Sequence, residues 1–247
     1  KMASAVKKTP IVDGSGLKNT LERRVVDYLQ KEAIVSFKGK RVLMVCAADR
    51  FGMAEEMIKN NAYLTIGDLM FGLGIPVPLY SLEALDKLAR IAAPAVSFLP
   101  TKLIYPSGSK RSKKPSRKVA KYYYEAEIIA GDFHYIKRHM PENLKGKIII
   151  TNTVTQKDVE ILRDRGVAKL ITTTPEFNGR SFGTNVMEAL MVAFLEKPQE
   201  EITPQDYSQM IEKMGFKPRI VDFEAKDVPN PKKVKSKVEP ERRLING

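Results

Sequence analysis

The hydrophobic pattern between residues 126 and 190 predicts a sheet of parallel strands. Short apolar runs cover residues 128–130, 148–150 and 170–171, and each leads directly into polar or turn-forming residues. Runs of this kind, bounded by turn residues, are typical of buried strands. After the second run, Val159, Ile161 and Leu162 fit one face of a helix that we expect to stop at Gly166. A strand–helix–strand unit implies parallel strands joined by a right-handed crossover.

The first half of the chain repeats this alternation. Residues 9–12, 41–47 and 63–66 have strand patterns, and residues 53–60 have a helix pattern. Apolar residues at every fourth position predict a helix with one buried stripe; they are Leu17, Leu21, Val25 and Leu29. We therefore predict an α/β, Rossmann-like fold with a mostly parallel sheet and helices on both faces. The strands should follow these residues, in one sheet or two adjoining sheets: Pro10, Arg41, Glu127, Lys147 and Lys169.

Residues 72–121 interrupt the alternation and are predicted to form a helical and basic insertion. A helix is expected to begin near Ser81, and residues 110–121 contain many lysines and arginines but no acidic residue. This run is a candidate lid or interface, which could also contact nucleic acid or an anionic membrane; a solvated mobile loop is the simpler interpretation and the one that we favour. Tyr122, Tyr123 and Tyr124 could stack on bases or pack in the core. We expect a last helix over residues 205–214, an α/β region of one large or two small domains up to residue 226, and a basic extended tail at residues 227–247.

Composition narrows the choice of partners. The chain has 247 residues, and 42 lysine and arginine residues against 29 aspartate and glutamate residues give a formal net charge of +13. Such a charge favours an anionic partner, with a small anionic ligand as the main expectation. The single cysteine, Cys46, excludes an intramolecular disulfide and fits a reducing compartment, so a cytoplasmic location is expected. No apolar run is long enough to span a bilayer.

The carboxyl ends of the predicted strands are the expected place for chemistry. Ligands of open α/β sheets bind outside that edge, so the polar clusters should meet in one crevice. His134 is a candidate general acid or base with Asp132 as its partner, although a structural histidine fits the pattern too. A glycine-containing loop and helix start would hold an anion there. The residues assigned to that binding are Thr174, Arg180, Ser181, Gly183, Thr184 and Asn185.

The loop after residue 12 resembles a phosphate cradle that opens a helix. Its candidate anion-binding residues are Gly14, Ser15, Gly16, Lys18 and Asn19. The spacing differs from that of a Walker A loop. A tight turn followed by a helix cap is the alternative interpretation.

Residues 41–68 have the layout of a dinucleotide-binding unit. Asp68 follows the second strand and would suit a ribose hydroxyl, and the candidate cofactor-binding residues are Asp49, Arg50, Gly52, Asp68, Asn152 and Thr153. NAD or NADP is the cofactor that this layout suggests. In the alignment to the glycine fingerprint, however, only Gly52 is a glycine, so a parallel sheet without a dinucleotide explains the pattern as well. No metal site is expected, because two histidines without a cysteine pair offer few ligands.

Three stretches resemble a family of prokaryotic proteins labelled quinate 5-dehydrogenase, or quinate/shikimate dehydrogenase-like. They are residues 9–23 (TPIVDGSGLKNTLER), 131–136 (GDFHYI) and 179–189 (GRSFGTNVMEA). The resemblance covers most of residues 9–215 and implies an NAD(P)-dependent oxidoreductase acting on a small hydroxylated anionic metabolite. The catalytic lysine–aspartate motifs of shikimate dehydrogenases are not recognisable, so no catalytic residue is carried over. The alternative is a non-redox binding or scaffold protein for an anionic metabolite, nucleotide or nucleic acid. A homo-oligomer is possible in either case.

Overall fold

A six-stranded sheet forms the centre of the protein in this computed structural model, which describes residues 9–97, 117–178 and 180–224. Its strands lie in the order β2-β1-β3-β4-β5-β8. They are β1 (Arg41–Met44), β2 (Tyr63–Ile66), β3 (Ile128–Ala130), β4 (Ile148–Thr151), β5 (Lys169–Thr172) and β8 (Arg219–Asp222). A separate antiparallel hairpin consists of β6 (Glu176–Phe177) and β7 (Arg180–Ser181).

Eight α-helices cover the sheet in the described part of the chain. They are α1 (Ser15–Lys31), α2 (Phe51–Lys59), α3 (Leu82–Ser97), α4 (Arg117–Glu125), α5 (Phe133–His139), α6 (Gln156–Asp164), α7 (Thr184–Leu195) and α8 (Pro204–Lys213). A π-helical turn (Asp68–Leu73) follows β2, and a 3-10 turn (Gln199–Glu201) precedes α8.

The parallel sheet predicted from the sequence is confirmed. Strands β1 to β5 pair in parallel, and Ile149 on β4 lies opposite Leu170 on β5. Strand β8 closes one edge antiparallel to β5, with Ile220 opposite Ile171. This strand was not predicted from the sequence, because its four residues mix charged and apolar side chains without a clear alternation.

Alternate residues of each strand supply two hydrophobic cores, one on each face of the sheet. Val42 and Met44 of β1 pack with α1, α2, α7 and α8, whereas Leu43 packs with α4, α5 and α6. The predicted stripe on α1 is buried in the first core, with Leu17 and Leu29 fully inaccessible. Helices on both faces therefore follow from strands that are apolar on both sides.

Two local predictions near the ends of the sheet are wrong. Residues 9–12 are not a strand, so the strand expected after Pro10 does not exist; this segment leads into α1 without pairing to the sheet. The loop expected after β5 contains the β6–β7 hairpin, in which Glu176 pairs with Ser181. In both places short-range composition suggested the wrong local structure, because strand pairing depends on neighbours that the sequence pattern does not reveal.

The insertion between β2 and β3 is only partly described. The helix start near Ser81 is confirmed, since its hydroxyl accepts a hydrogen bond from the Ala84 N–H at 3.1 Å. Residues 98–116, with most of the predicted basic run, lie outside the described residues, as does the predicted tail beyond residue 224. The remainder of the basic run begins α4 rather than a loop. Tyr122 and Tyr123 are buried in the core, which favours packing over stacking on bases, while Tyr124 is exposed.

In the described residues no helix combines the length and apolar character needed to cross a bilayer.

A buried ion pair fixes α1 to the start of α2. Arg50, the residue before α2, is 3% exposed and donates to the carboxylate of Glu22 on α1, which is 1% exposed. Asp49 and Asp132 each lie 3.4 Å from the same guanidinium group. Burial raises the pKa of the Glu22 carboxyl from 4.5 to about 6, because the loss of solvation outweighs the attraction of Arg50.

This raised pKa predicts a specific pH dependence of stability. The folded state binds the Glu22 proton more tightly than the unfolded chain, so protonation favours folding below pH 4.5, and this contribution is lost as pH rises through about 6. Between these values the free energy of unfolding of the natural protein should fall by up to about 2 kcal/mol relative to Glu22→Gln. Urea denaturation of both proteins between pH 4 and 8, a range that spans both pKa values of Glu22, measures the difference.

The matched control is Glu55→Gln, which removes an exposed carboxylate paired with Arg23. Because solvent screens an exposed ion pair, the free energy of unfolding of Glu55→Gln should depend on pH as that of the natural protein does. Parallel profiles for Glu22→Gln and the natural protein would show that Glu22 titrates alike in the folded and unfolded states.

Candidate functional site

The strand order reverses between β1 and β3. From β1 the chain moves outward to β2 and then returns to the opposite side of β1 to form β3. In doubly wound sheets ligands bind in a crevice at this reversal, outside the carboxyl ends of the two strands. The loops that follow β1 and β3 carry Asp49, Arg50, Asp132 and His134, so these candidate residues lie at that edge.

Asp132 connects three segments at this edge. Its Oδ1 accepts from the His134 N–H at 2.8 Å and so caps α5, while its Oδ2 accepts from the Asn152 side chain at 3.0 Å. The same Oδ2 lies 3.4 Å from Arg50 Nη2. Asn152 in turn accepts from the Phe133 N–H at 3.2 Å. Asp132 is therefore a structural hub, and its bonds go to a backbone amide, Asn152 and Arg50 rather than to the His134 ring.

His134 is exposed in the first turn of α5, just after the carboxyl end of β3. Its backbone is fixed by Asp132, which leaves the imidazole in contact with solvent at the sheet edge. His139 differs, because it packs against the Phe71 ring with centroids 5.1 Å apart, and burial lowers its pKa to about 4. Of the two histidines, His134 is the one positioned to meet a ligand.

The loop after β1 does not suit a dinucleotide in the Rossmann pose. Asp68, expected to bind ribose, accepts from the backbone N–H groups of Ala47 and Ala48, each at 2.8 Å. A dinucleotide in the Rossmann pose would place its pyrophosphate against these same backbone amides. Burial and the nearby Asp68 raise the pKa of the Cys46 thiol in this loop to about 12, which disfavours the reactive thiolate. No reaction step is therefore assigned to a cofactor in this loop.

The predicted phosphate cradle at the start of α1 is partly filled by a carboxylate of the protein itself. Glu188 on α7 is buried and accepts from the Gly14 N–H at 2.6 Å and from the Tyr207 hydroxyl at 3.0 Å. Ser15 N–H donates to Asp13 at 2.9 Å. A side chain at Gly16 would collide with Glu188, so this glycine permits close packing of α1 and α7. No pattern in the sequence indicates this role of Glu188, which lies 174 positions from Gly14.

The next turn of α1 reaches the loop after β1. Lys18 Nζ lies 2.8 Å from Asp49 Oδ1, and the Asn19 side chain accepts from the Gly52 N–H at 3.1 Å. The candidate residues of the cradle and those of the dinucleotide unit thus bind one another. Lys18 retains partial exposure and can still face a ligand at the edge.

The loop before α7 completes the site. Thr153 and Thr174 both donate to the Phe182 carbonyl, at 3.3 and 2.6 Å. Thr174 and Ser181 are buried and hold this loop in place, so they are not positioned to contact a ligand. Gly179 and the side chain of Arg180 lie outside the described part of the structure, and the role predicted for Arg180 stays a prediction.

Helix α7 begins at this edge after Gly183, an N-cap residue that has no side chain to cap the first turn. Thr184 is buried and Asn185 is exposed in its first turn. The Asn185 nitrogen lies against Gly14, since a Cβ at Gly14 would be only 2.8 Å from it. The start of α7 therefore presents its positive dipole end and the Asn185 side chain beside the start of α1.

These contacts form a closed ring around the carboxyl edge of the sheet. Around the ring, Lys18 binds Asp49, Arg50 meets Asp132, Asp132 binds Asn152, Thr153 binds Phe182, and Asn185 lies against Gly14. Loops far apart in the sequence are thus in contact at this edge, whereas their forming one ligand pocket stays a prediction. The described residues contain no group of three or more histidine, cysteine, aspartate or glutamate side chains placed to hold a metal ion.

Solved structures resemble the chain only distantly. A protein from Mycobacterium smegmatis has 13% sequence identity and a TM-score of 0.33, and the match covers 89% of this chain and 61% of that one. A galactofuranose binding protein has 15% identity and a TM-score of 0.30, with 79% and 62% of the two chains covered. The chain thus spans about three fifths of each of these proteins. Likenesses this weak carry no argument about function.

No curated protein is similar enough to the chain to be counted as a relative. The match to a protein family, in contrast, covers most of the chain, from residue 16 to residue 223. This range includes all strands of the sheet and nearly the whole ring of contacts at its carboxyl edge. The chain therefore belongs to the family described as a domain of unknown function, DUF8754.

Proposed function

We propose that this domain binds a small, hydroxylated anionic metabolite at the carboxyl edge of its sheet. The observation that carries the proposal is the ring of contacts at the point where the strand order reverses between β1 and β3. The net positive charge of the chain suits an anionic ligand. The single cysteine suits a cytoplasmic location.

The start of α7 is the best place in the ring for the anionic group. Elsewhere the protein uses its own carboxylates: Glu188 binds the start of α1, Asp132 binds the start of α5, and Asp68 binds the loop after β1. The start of α7 has no such side-chain cap. Backbone amides there, together with the Asn185 side chain, would hydrogen-bond a carboxylate or a phosphate, with the positive end of the helix dipole favouring the negative charge.

An NAD(P)-dependent dehydrogenase is the second candidate function. Exposed His134 at the crevice favours it, because an imidazole in that position can accept the proton of a bound hydroxyl group. The resemblance to proteins labelled quinate/shikimate dehydrogenase-like adds support. NAD or NADP would have to bind in a pose other than the Rossmann pose, because Asp68 occupies the amides of the loop after β1.

Anion binding at α7 is tested with Asn185→Asp. A carboxylate in the first turn suits the helix dipole, so the melting temperature should stay equal or rise, while a bound anion is repelled. We expect the dissociation constant for the anion to increase by about tenfold, the effect of roughly 1.4 kcal/mol of repulsion. Calorimetric titration with inorganic phosphate, quinate, AMP, NAD and NADP measures the change.

The matched control is Gln209→Glu, which makes the same amide-to-carboxylate change on an exposed position of α8. It should leave anion affinity nearly unchanged. Equal weakening by both variants would mean that the anion senses only the net charge of the protein. Unchanged affinity in Asn185→Asp would place the anion elsewhere.

The dehydrogenase candidate predicts a loss of turnover in His134→Ala. Removing a general base lowers turnover by about a hundredfold to ten-thousandfold, whereas ligand affinity should change little. The reduction of NAD or NADP, followed by absorbance with quinate and shikimate, measures it. His134→Gln serves as the comparison, since it can hydrogen-bond a ligand but cannot take up its proton. If the glutamine variant keeps full turnover, His134 is not the general base. If the natural protein reduces neither cofactor, the dehydrogenase candidate is lost and the binding proposal stands.

A further inference from the structure

A cavity lies at the amino edge of the sheet, the edge opposite to the site proposed above. It has a volume of about 370 Å³ and is lined by the segment after α1, the start of β1, the end of α4 and the start of β4. Small-molecule pockets have volumes of about 300 to 1,000 Å³. The four residues of β1 span roughly 13 Å, so this amino-edge cavity is separate from the ring of contacts.

Basic side chains outnumber acidic ones around the amino-edge cavity. The basic residues precede or begin β1 and β4, and they are Lys40, Arg41, Lys145 and Lys147. The acidic residues are Glu125 and Glu127. An excess of positive charge in a concave site raises the local concentration of anions.

The protein neutralises only part of this positive charge itself. Glu127 binds Lys40 Nζ at 2.7 Å and accepts from the Arg41 backbone N–H at 3.2 Å. The Arg41 Nε donates to the Glu125 carbonyl at 2.7 Å, whereas Arg41 Nη2 lies 4.0 Å from Glu127, too far for a hydrogen bond. The Arg41 side chain is 65% exposed, and within the described residues its two terminal amino groups donate no hydrogen bond.

Lys147 supplies a second cation with a donor to spare. Its Nζ donates to the Tyr124 carbonyl at 2.9 Å and to the Ala126 carbonyl at 2.6 Å, at the end of α4. An ammonium group has three N–H donors, so one remains for a ligand. Burial lowers the pKa of the Lys147 ammonium group below its usual range, and the positive charge of Arg41 lowers it further. An anion bound beside both cations would offset these effects.

Capping of α4 does not by itself account for this arrangement. A cation near the last turn of a helix satisfies its carbonyls and complements the helix dipole. Here both Arg41 and Lys147 bind carbonyls at the end of α4. Lys145 lines the same cavity, is exposed, and has no acidic partner in the part of the chain that the structure describes. The cavity therefore contains more cations than the helix end requires.

We propose that the amino-edge cavity is a second anion-binding site, which takes a small molecule that carries a phosphate or a carboxylate group. The guanidinium fork of Arg41 matches two oxygens of such a group, and Lys145 and Lys147 add point charges. This inference is independent of the ligand proposed for the carboxyl edge.

Backbone amide chemical shifts test the site directly. Inorganic phosphate or malonate is added to the full chain at constant ionic strength, up to about 20 mM, where millimolar affinities become visible. The amide signals of Arg41, Glu127 and Lys147 should shift and saturate with at least one probe. A response to phosphate alone assigns a phosphate ligand, and a response to malonate alone assigns a carboxylate. The Asn185 signal reports on the carboxyl edge separately, so failure of one site is distinguishable from failure of the other.

Arg41→Gln should raise the dissociation constant of the bound probe about tenfold, because it removes the guanidinium fork. Lys145→Gln, at an exposed position, should raise it about threefold and tests the site even if Arg41→Gln is unstable. The matched control is Arg90→Gln, which removes an exposed arginine that binds Asp86 on α3; it should leave affinity nearly unchanged. The proposal is overturned if the three amide signals do not shift, if they shift equally with sodium chloride, or if Arg90→Gln weakens binding as much as Arg41→Gln and Lys145→Gln.

Discussion

The buried guanidinium of Arg50 is the interaction on which the carboxyl edge of the sheet depends. It joins Glu22 of α1 to the loop after β1 and approaches Asp132 after β3. Burying a charge is unfavourable unless it is paired and hydrogen-bonded, so the three elements must stay together for any of these charges to be tolerated. A buried pair of this kind adds little net stability, but it fixes one arrangement of the segments around it.

Internal carboxylates organise the rest of that edge in a similar way. Glu188, Asp68 and Asp132 each bind backbone amides of a helix start or loop that a ligand might otherwise use. These bonds pre-order the contacts at that edge and occupy backbone amides that an external anion would otherwise bind.

Much of the fold was predictable because it depends on local pattern. The isoleucine-rich runs before Gly131 and Thr151 had to be buried on both faces, and strands of that kind lie in parallel sheets covered by helices. The periodic stripe of α1 and the cap at Ser81 were equally local signals. Strand β8 and the β6–β7 hairpin were missed, because their short polar segments become strands only when paired with neighbours.

The parallel α/β order was predictable from the sequence, and so was the edge at which the candidate residues lie, since strand direction sets where every loop emerges. What those residues do at that edge depends on contacts made in the folded protein. Asp68 and Asp132 became caps for backbone amides, Arg50 became a buried partner of Glu22, and His134 stayed exposed. These roles depend on contacts between residues far apart in the chain, such as Gly14 with Glu188. Packing, rather than any local pattern, brings such residues together.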